Sequence, residues 1–294
     1  MRYENRQPPE GINITDEHPL KRFARLAVAA LVLLVLVVAA MQFLGGRVAK
    51  LVPFDFERRA VERVGVDFGD ARASSEILDY LNDLGERLTA YMSMPEDMSV
   101  TVHYSPEDTF NAFATVGGNL LFYRGLLERL PHENALSMVL AHEIAHVLHR
   151  DPLAGLGGGV ASAVALAVLT GNAGTGVAGE VLGQAGALTG MEFTRRMERA
   201  ADREALGAVV ALYGHVDGAA ALFELIAEER GGSRVPPWLG CFTTTHPLDA
   251  ERIDAIAELA DERGWPRTGE TTPLPEGFDE WLEPSEPAET RTGR

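Results

Sequence analysis

The chain has 294 residues and a formal charge of −17, from 43 acidic and 26 basic side chains. Without a basic stripe, that balance excludes a nucleic-acid partner. A single cysteine, Cys241, excludes an intrachain disulfide and any metal site built from several thiolates, which leaves histidine and carboxylate chemistry.

A short polar tail (residues 1–25) leads into LAVAALVLLVLVVAAMQFL (26–44), where Gln42 is the only polar residue. This is about the ~20 residues a helix needs to cross a bilayer, and a buried core helix rarely runs so long without a polar face. Twenty-five mostly polar residues precede the run and it continues past the small residues Val38 and Ala40. An uncleaved anchor therefore fits better than a removed signal peptide. Lys21, Arg22 and Arg25 lie tight against its N-terminal end, Arg47 and Lys50 against the other. The slight bias places the N-terminus inside and the C-terminal part outside the cytoplasm, as a single-pass protein of the cell inner membrane.

Residues 45–70, with Gly45-Gly46 and Pro53, read as a linker to a domain over 71–264. Ile77, Leu81, Leu84 and Leu88 recur at helical spacing. Short β-rich runs follow at 98–104, 110–116 and 119–123, with a Gly117-Gly118 turn, and together they predict a small sheet. A brief helix (124–130) ends at Pro131, and Asn134 to Arg150 forms a longer one. From Pro152 to Gly179 there is no charge, and Gly and Ala dominate. This segment reads as a mobile helical pair over the active site or at the membrane surface rather than a second span. Helices over 192–213, 218–229 and 248–263 complete the domain. The Pro-rich acidic tail (265–294) is expected to be disordered or loosely docked.

LAHEIAHVLHRD (140–151) lies within the Asn134–Arg150 helix. There His142 and His146, four apart, share one face, with Glu143 beside it. This is the spacing of two zinc ligands and a base for the attacking water. A catalytic zinc takes three protein ligands and keeps one position open. His149 does not supply the third, since the pattern that uses a later histidine on the same strand of sequence requires it where Pro152 stands. It reads as a solvated residue at the helix end. Glu198 and Asp202 in MERAADREA are candidates on one helical face, although acidic pairs at this spacing also occur as solvated ion-pair positions.

HEIAH followed some fifty residues later by ERAAD resembles the HtpX-like and CAAX-prenyl-protease-like zinc metallopeptidases, metallopeptidase family forty-eight. NAFATVGGNLLFYRGLL (111–127) and TTTHPLDAERI (243–253) are similar to two further motifs of that family, in the same order. The resemblance spans roughly residues 70–260. It implies an α+β, mostly α, gluzincin fold with a small sheet behind one transmembrane helix. It also implies one zinc per chain on His142, His146 and Glu198, with Glu143 as the base. Asp202 would hold the second ring N–H of a ligating histidine. His246 would stabilise the oxyanion or occupy the open metal position at rest. Asn111, Ala112, Phe113 and Ala114 would pair with an extended substrate backbone. The expected activity is peptide-bond hydrolysis in misfolded or misassembled envelope proteins, with the membrane and a protein or peptide as partners. A homo-oligomer or an envelope partner stays open. The alternatives are a chaperone-like protein with a resting zinc and a CAAX-type processing protease. One span does not build the enclosed chamber the latter implies, and a purely structural zinc has no need of Glu143. HRDP after the zinc helix receives no function.

Overall fold

Pro19–Ala49 forms one helix, α1, across the whole apolar run. The computed structural model describes residues 19–49, 51–65, 68–155, 193–231, 246 and 251–284. Nearly all of the Gly/Ala segment, Cys241 and most neighbours of His246 in sequence lie outside the described residues. The large apolar side chains of α1 from Leu20 to Val37 are exposed, Leu33 by 63%. Counted over the described residues, no helix is long and apolar enough to cross a membrane.

The expected linker is partly helical, because Phe54–Val64 forms α2. Asp55 and Glu57 sit in its first turn, where the helix dipole favours carboxylates. Phe54 and Glu57, three apart, both turn inward and are buried. Gly65 ends the helix in the left-handed conformation (φ 65°). Helix α3, Ser75–Thr89, is capped by Ser74, whose Oγ accepts from the Ile77 N–H. The four residues that predicted it, Ile77, Leu81, Leu84 and Leu88, are fully buried.

The sheet has three strands, β1 (Thr101–Ser105), β2 (Ala112–Ala114) and β3 (Asn119–Tyr123), in the order β1-β3-β2. β3 is central and runs parallel to β1 and antiparallel to β2, with Phe113 opposite Leu121. Covered on both faces, it reads as a continuous apolar run rather than an alternation. β2 is an edge strand. The Asn111 carbonyl accepts from Tyr123 N–H, and the Thr115 N–H donates to the Asn119 carbonyl. Positions 111, 113 and 115 therefore bond to β3, and the N–H and C=O groups of Ala112 and Ala114 point away from it.

His103 on β1 lies between two acceptors. Its Nδ1 is 2.5 Å from Asp70 Oδ2 and its Nε2 is 2.9 Å from Asn119 Oδ1. The Asn119 amide nitrogen donates to the Val116 carbonyl, so its oxygen is the atom facing the ring. Both ring nitrogens must then carry protons. Burial opposes that charge, but the bonds to Asp70 and Asn119 and the charge of Asp70 outweigh it and raise the pKa. A raised folded-state pKa gives stability that is fully present below the unfolded value, about 6.5, and lost as pH rises through the folded value. Urea unfolding in detergent across this range should show wild type losing stability relative to His103→Gln as pH rises. Parallel curves would show that His103 is not the charged partner.

Past β3 come α4 (Arg124–Leu127) and α5 (Glu133–His149). His132 caps α5 by accepting the Ala135 N–H on Nδ1. α5 is more than amphipathic: every residue from Glu133 to Val147 is buried. It packs against α3, β2 and α6 (Arg195–Tyr213). Helices α7 (Ala221–Gly231) and α8 (Glu251–Arg263) follow. The expectation of a loose tail does not hold for residues 265–284. The Glu133 N–H donates to the Thr272 carbonyl, and Tyr104 Oη donates to the Leu282 carbonyl at 2.5 Å. A last short helix, α9 (Phe278–Trp281), buries Phe278, and Leu282 follows it into the core.

Candidate metal centre

Four elements meet at one buried point. α5 contributes His142, Glu143 and His146, and α6 contributes Glu198 and Asp202. Thr194 starts α6 one turn before Glu198, its Oγ1 accepting the Met197 N–H. Glu198 thus sits in the first turn, where a carboxylate is favoured. His246 enters from the segment ahead of α8, and α8 itself supplies Arg252.

The Nε2 atoms of His142 and His146 are 3.0 Å apart. Glu198 Oε2 is 3.4 Å from the first and Oε1 is 3.3 Å from the second. Zinc bonds of about 2.0–2.2 Å at tetrahedral angles put ligand atoms about 3.3 Å apart, so these three side chains fit one ion. His146 donates its Nδ1–H to Asp151 Oδ2 at 2.9 Å, and His142 Nδ1 lies 2.9 Å from Asp202 Oδ1. With Nδ1 protonated on each ring, two Nε2 lone pairs face one another, an arrangement that repels unless a cation lies between them. His246 joins the same cluster, the ligand atoms of all four residues lying within 4.8 Å of one another. Its Nδ1 is 3.2 Å from Glu198 Oε1 and its Nε2 is 3.4 Å from Glu143 Oε1.

The electrostatics point the same way. Glu143, Glu198 and Asp151 are buried, and Asp202 is mostly so. Against these four carboxylates stands one guanidinium, Arg252, which donates to Glu198 Oε2 and Asp202 Oδ2, both at 2.8 Å. Burial alone would depress the His142 pKa, but Glu198 and Asp202 overcome it and push the value up to about 10. Burial would raise the pKa of Glu198, but the neighbouring histidines, His246 foremost, hold it well below the usual carboxylate range. The pocket demands positive charge, which one proton supplies singly and a divalent ion doubly.

Glu143 meets this cluster through Oε1, 3.4 Å from His246 Nε2. It is 1% exposed, and its Oε2 has no hydrogen-bond partner among the described residues. A small apolar pocket opens beside it, lined by Met138, Val139, Leu222 and Phe223, with Arg252 at one end.

His142, Glu143, His146, Glu198, Asp202 and His246 are thus brought together. Asn111 to Ala114 form the sheet edge against α5, and His149 lies outside the cluster, half-buried. Three contributors escape sequence reasoning. Asp151 belongs to HRDP, to which no function was attached, and reaches His146 only because the chain turns after α5. Arg252, six residues after His246, reads as an ordinary charge on a helix. Phe193 stacks on His146, with ring centroids 3.9 Å apart.

The family model described as Peptidase family M48 matches residues 78–260. The chain belongs to this family. The chain is 29% identical over 198 residues to the putative beta-barrel assembly-enhancing protease of Vibrio cholerae, a match covering 62% of this chain and 39% of that one. To the beta-barrel assembly-enhancing protease of Escherichia coli it is 31% identical over 204 residues, covering 63% and 39%. To the mitochondrial metalloendopeptidase OMA1 of Schizosaccharomyces pombe it is 29% identical over 245 residues, covering 78% and 70%. The match thus spans about two fifths of the length of the bacterial relatives. The buried cluster at the meeting of α5 and α6 lies within the matched residues and could hold a metal ion.

Proposed function

We propose that the chain is a zinc-dependent metalloendopeptidase that hydrolyses peptide bonds of misfolded or misassembled envelope proteins. The observation that carries this reading is the buried Oε2 of Glu143, which has no hydrogen-bond partner among the described residues and lies beside three converging side chains that could hold a metal. A carboxylate oxygen kept out of all bonding in such a place is suited to accept a proton from water.

His142, His146 and Glu198 hold the zinc, one per chain. When bound, zinc supplies Lewis acidity, polarising the scissile carbonyl and making water acidic enough to ionise near neutral pH. Glu143 takes the proton of the attacking water on Oε2 and passes it to the leaving amine nitrogen. Asp202 and Asp151 fix the rings of His142 and His146. His246 would stabilise the oxyanion, or would itself help hold the metal at rest. The outward backbone groups of Ala112 and Ala114 on β2, flanked by Asn111 and Phe113, pair with an extended substrate. The uncharged run 26–44 supports a single-pass inner-membrane anchor, and the slight Lys/Arg bias of its flanks supports a catalytic domain outside the cytoplasm. That a relative is a beta-barrel assembly-enhancing protease supports misassembled envelope proteins as the substrate class.

Hydrolysis of casein by the detergent-solubilised chain should stop on treatment with a chelator and return with about one equivalent of zinc. Hydrolysis that survives complete zinc removal would overturn the reading. Asp202→Asn keeps the shape of the side chain but weakens its hold on His142. It should lower zinc affinity or activity about 10–100-fold and recover at high zinc. Zinc titration of activity measures this, and an unchanged titration would remove Asp202 from the site.

A further inference from the structure

Arg150 is the only non-glycine among the described residues with positive φ, at 62°. It stands between the last residue of α5 and Asp151, and its conformation determines where Asp151 points. In a continued helix, a residue five positions after His146 would lie about 140° around the axis from it. The left-handed turn instead brings the Asp151 carboxylate back to the His146 ring. Residues with a Cβ are sterically disfavoured in this conformation, so something must hold Arg150 there.

What holds it comes from α2 and the residues just before it. Arg150 Nη2 donates to the Val52 carbonyl at 2.9 Å and to Glu57 Oε1, and its guanidinium lies over the Phe54 ring, 5.7 Å from the centroid. Glu57 is 6% exposed, and its other oxygen accepts the Gly117 N–H at 3.2 Å, in the turn that follows β2. One buried carboxylate therefore joins the helix after the anchor to both the end of the metal helix and the turn beyond the edge strand.

We propose that Glu57 is a positioning residue of the metal site, acting through Arg150 to keep Asp151 against His146. This rests on the zinc-peptidase reading. It makes α2, which lies outside the family match, part of the working site. Glu57→Gln keeps the volume and an acceptor but removes the charge. Arg150→Ala keeps a Cβ in the disfavoured turn but removes the side chain that holds it there.

The test is zinc affinity of the full chain in detergent, measured by chelator competition, with cobalt(II) absorption reporting ligand geometry. Each substitution should lower zinc affinity about tenfold, as losing support behind a ligating histidine does, and alter the cobalt spectrum. The double variant should be no worse than either, because both act on one link. Wild-type affinity and spectrum in either variant would overturn the proposal, whatever happens to thermal stability. Losses that add in the double variant would show that Glu57 acts by another route, and would also overturn it. Arg150→Ala answers the question if Glu57→Gln does not fold. A wild-type chain that binds no zinc would instead overturn the metallopeptidase reading.

Discussion

Glu143→Gln should keep its fold and its full complement of zinc and lose peptidase activity by about 10²–10⁴-fold, the range for removal of a general base. Glutamine matches glutamate in shape, so Met138, Val139 and Phe223 around the pocket need not move. Glu143 contributes no atom to the three-ligand set of His142, His146 and Glu198, so zinc should stay. What disappears is the basicity of Oε2, which has no hydrogen-bond partner among the described residues. Casein hydrolysis alongside metal content by mass spectrometry separates the two effects. Turnover near wild type with zinc bound would mean that the proton goes elsewhere, and His246, 3.4 Å away, would be the next residue to test.

Glu198→Ala should fail in a different way. It removes one of three ligands together with the charge that offsets the ion, leaving the two imidazoles to hold it. Zinc should be lost on dialysis and should not return at concentrations that rescue Asp202→Asn. The substitution also strips Arg252 of one of its two carboxylate partners, but Asp202 still holds both faces of the guanidinium fork. The domain should therefore stay folded, because α5 and α6 keep their buried apolar surfaces. Metal content after dialysis and circular dichroism decide this. Zinc retained as tightly as in wild type would show that the third ligand has been misplaced, with His246 the alternative.

The residues that the structure brings together are legible in the sequence where they fall at helical spacing within one segment. His142 and His146 are four apart on α5, and Glu198 and Asp202 four apart on α6, so local geometry alone groups each pair. The two pairs were joined to one another by family resemblance, since no periodicity relates residues on separate helices. Asp151 was missed because its place depends on a turn taken by an arginine, and arginine carries no left-handed signature. Arg252 was missed because a charge on an amphipathic helix normally faces water. The packed stretch 265–284 was misread for a related reason. Its prolines and acidic residues suggested disorder, while Phe278 and Leu282 act as isolated anchors that no periodic pattern reveals.

That stretch also separates two lengths often taken as one. The match to the family model ends at residue 260, but the chain then reaches the start of α5 and buries Phe278 and Leu282 in the core, the helix 278–281 lying against α3. Each of those side chains brings about 1.5–3 kcal/mol of burial, and the Thr272 carbonyl takes up the N–H at the first residue of α5. An excised fragment cut at the family boundary would expose that seam and fray the helix that carries both histidines. The smallest piece able to act alone is longer than the piece the family model spans.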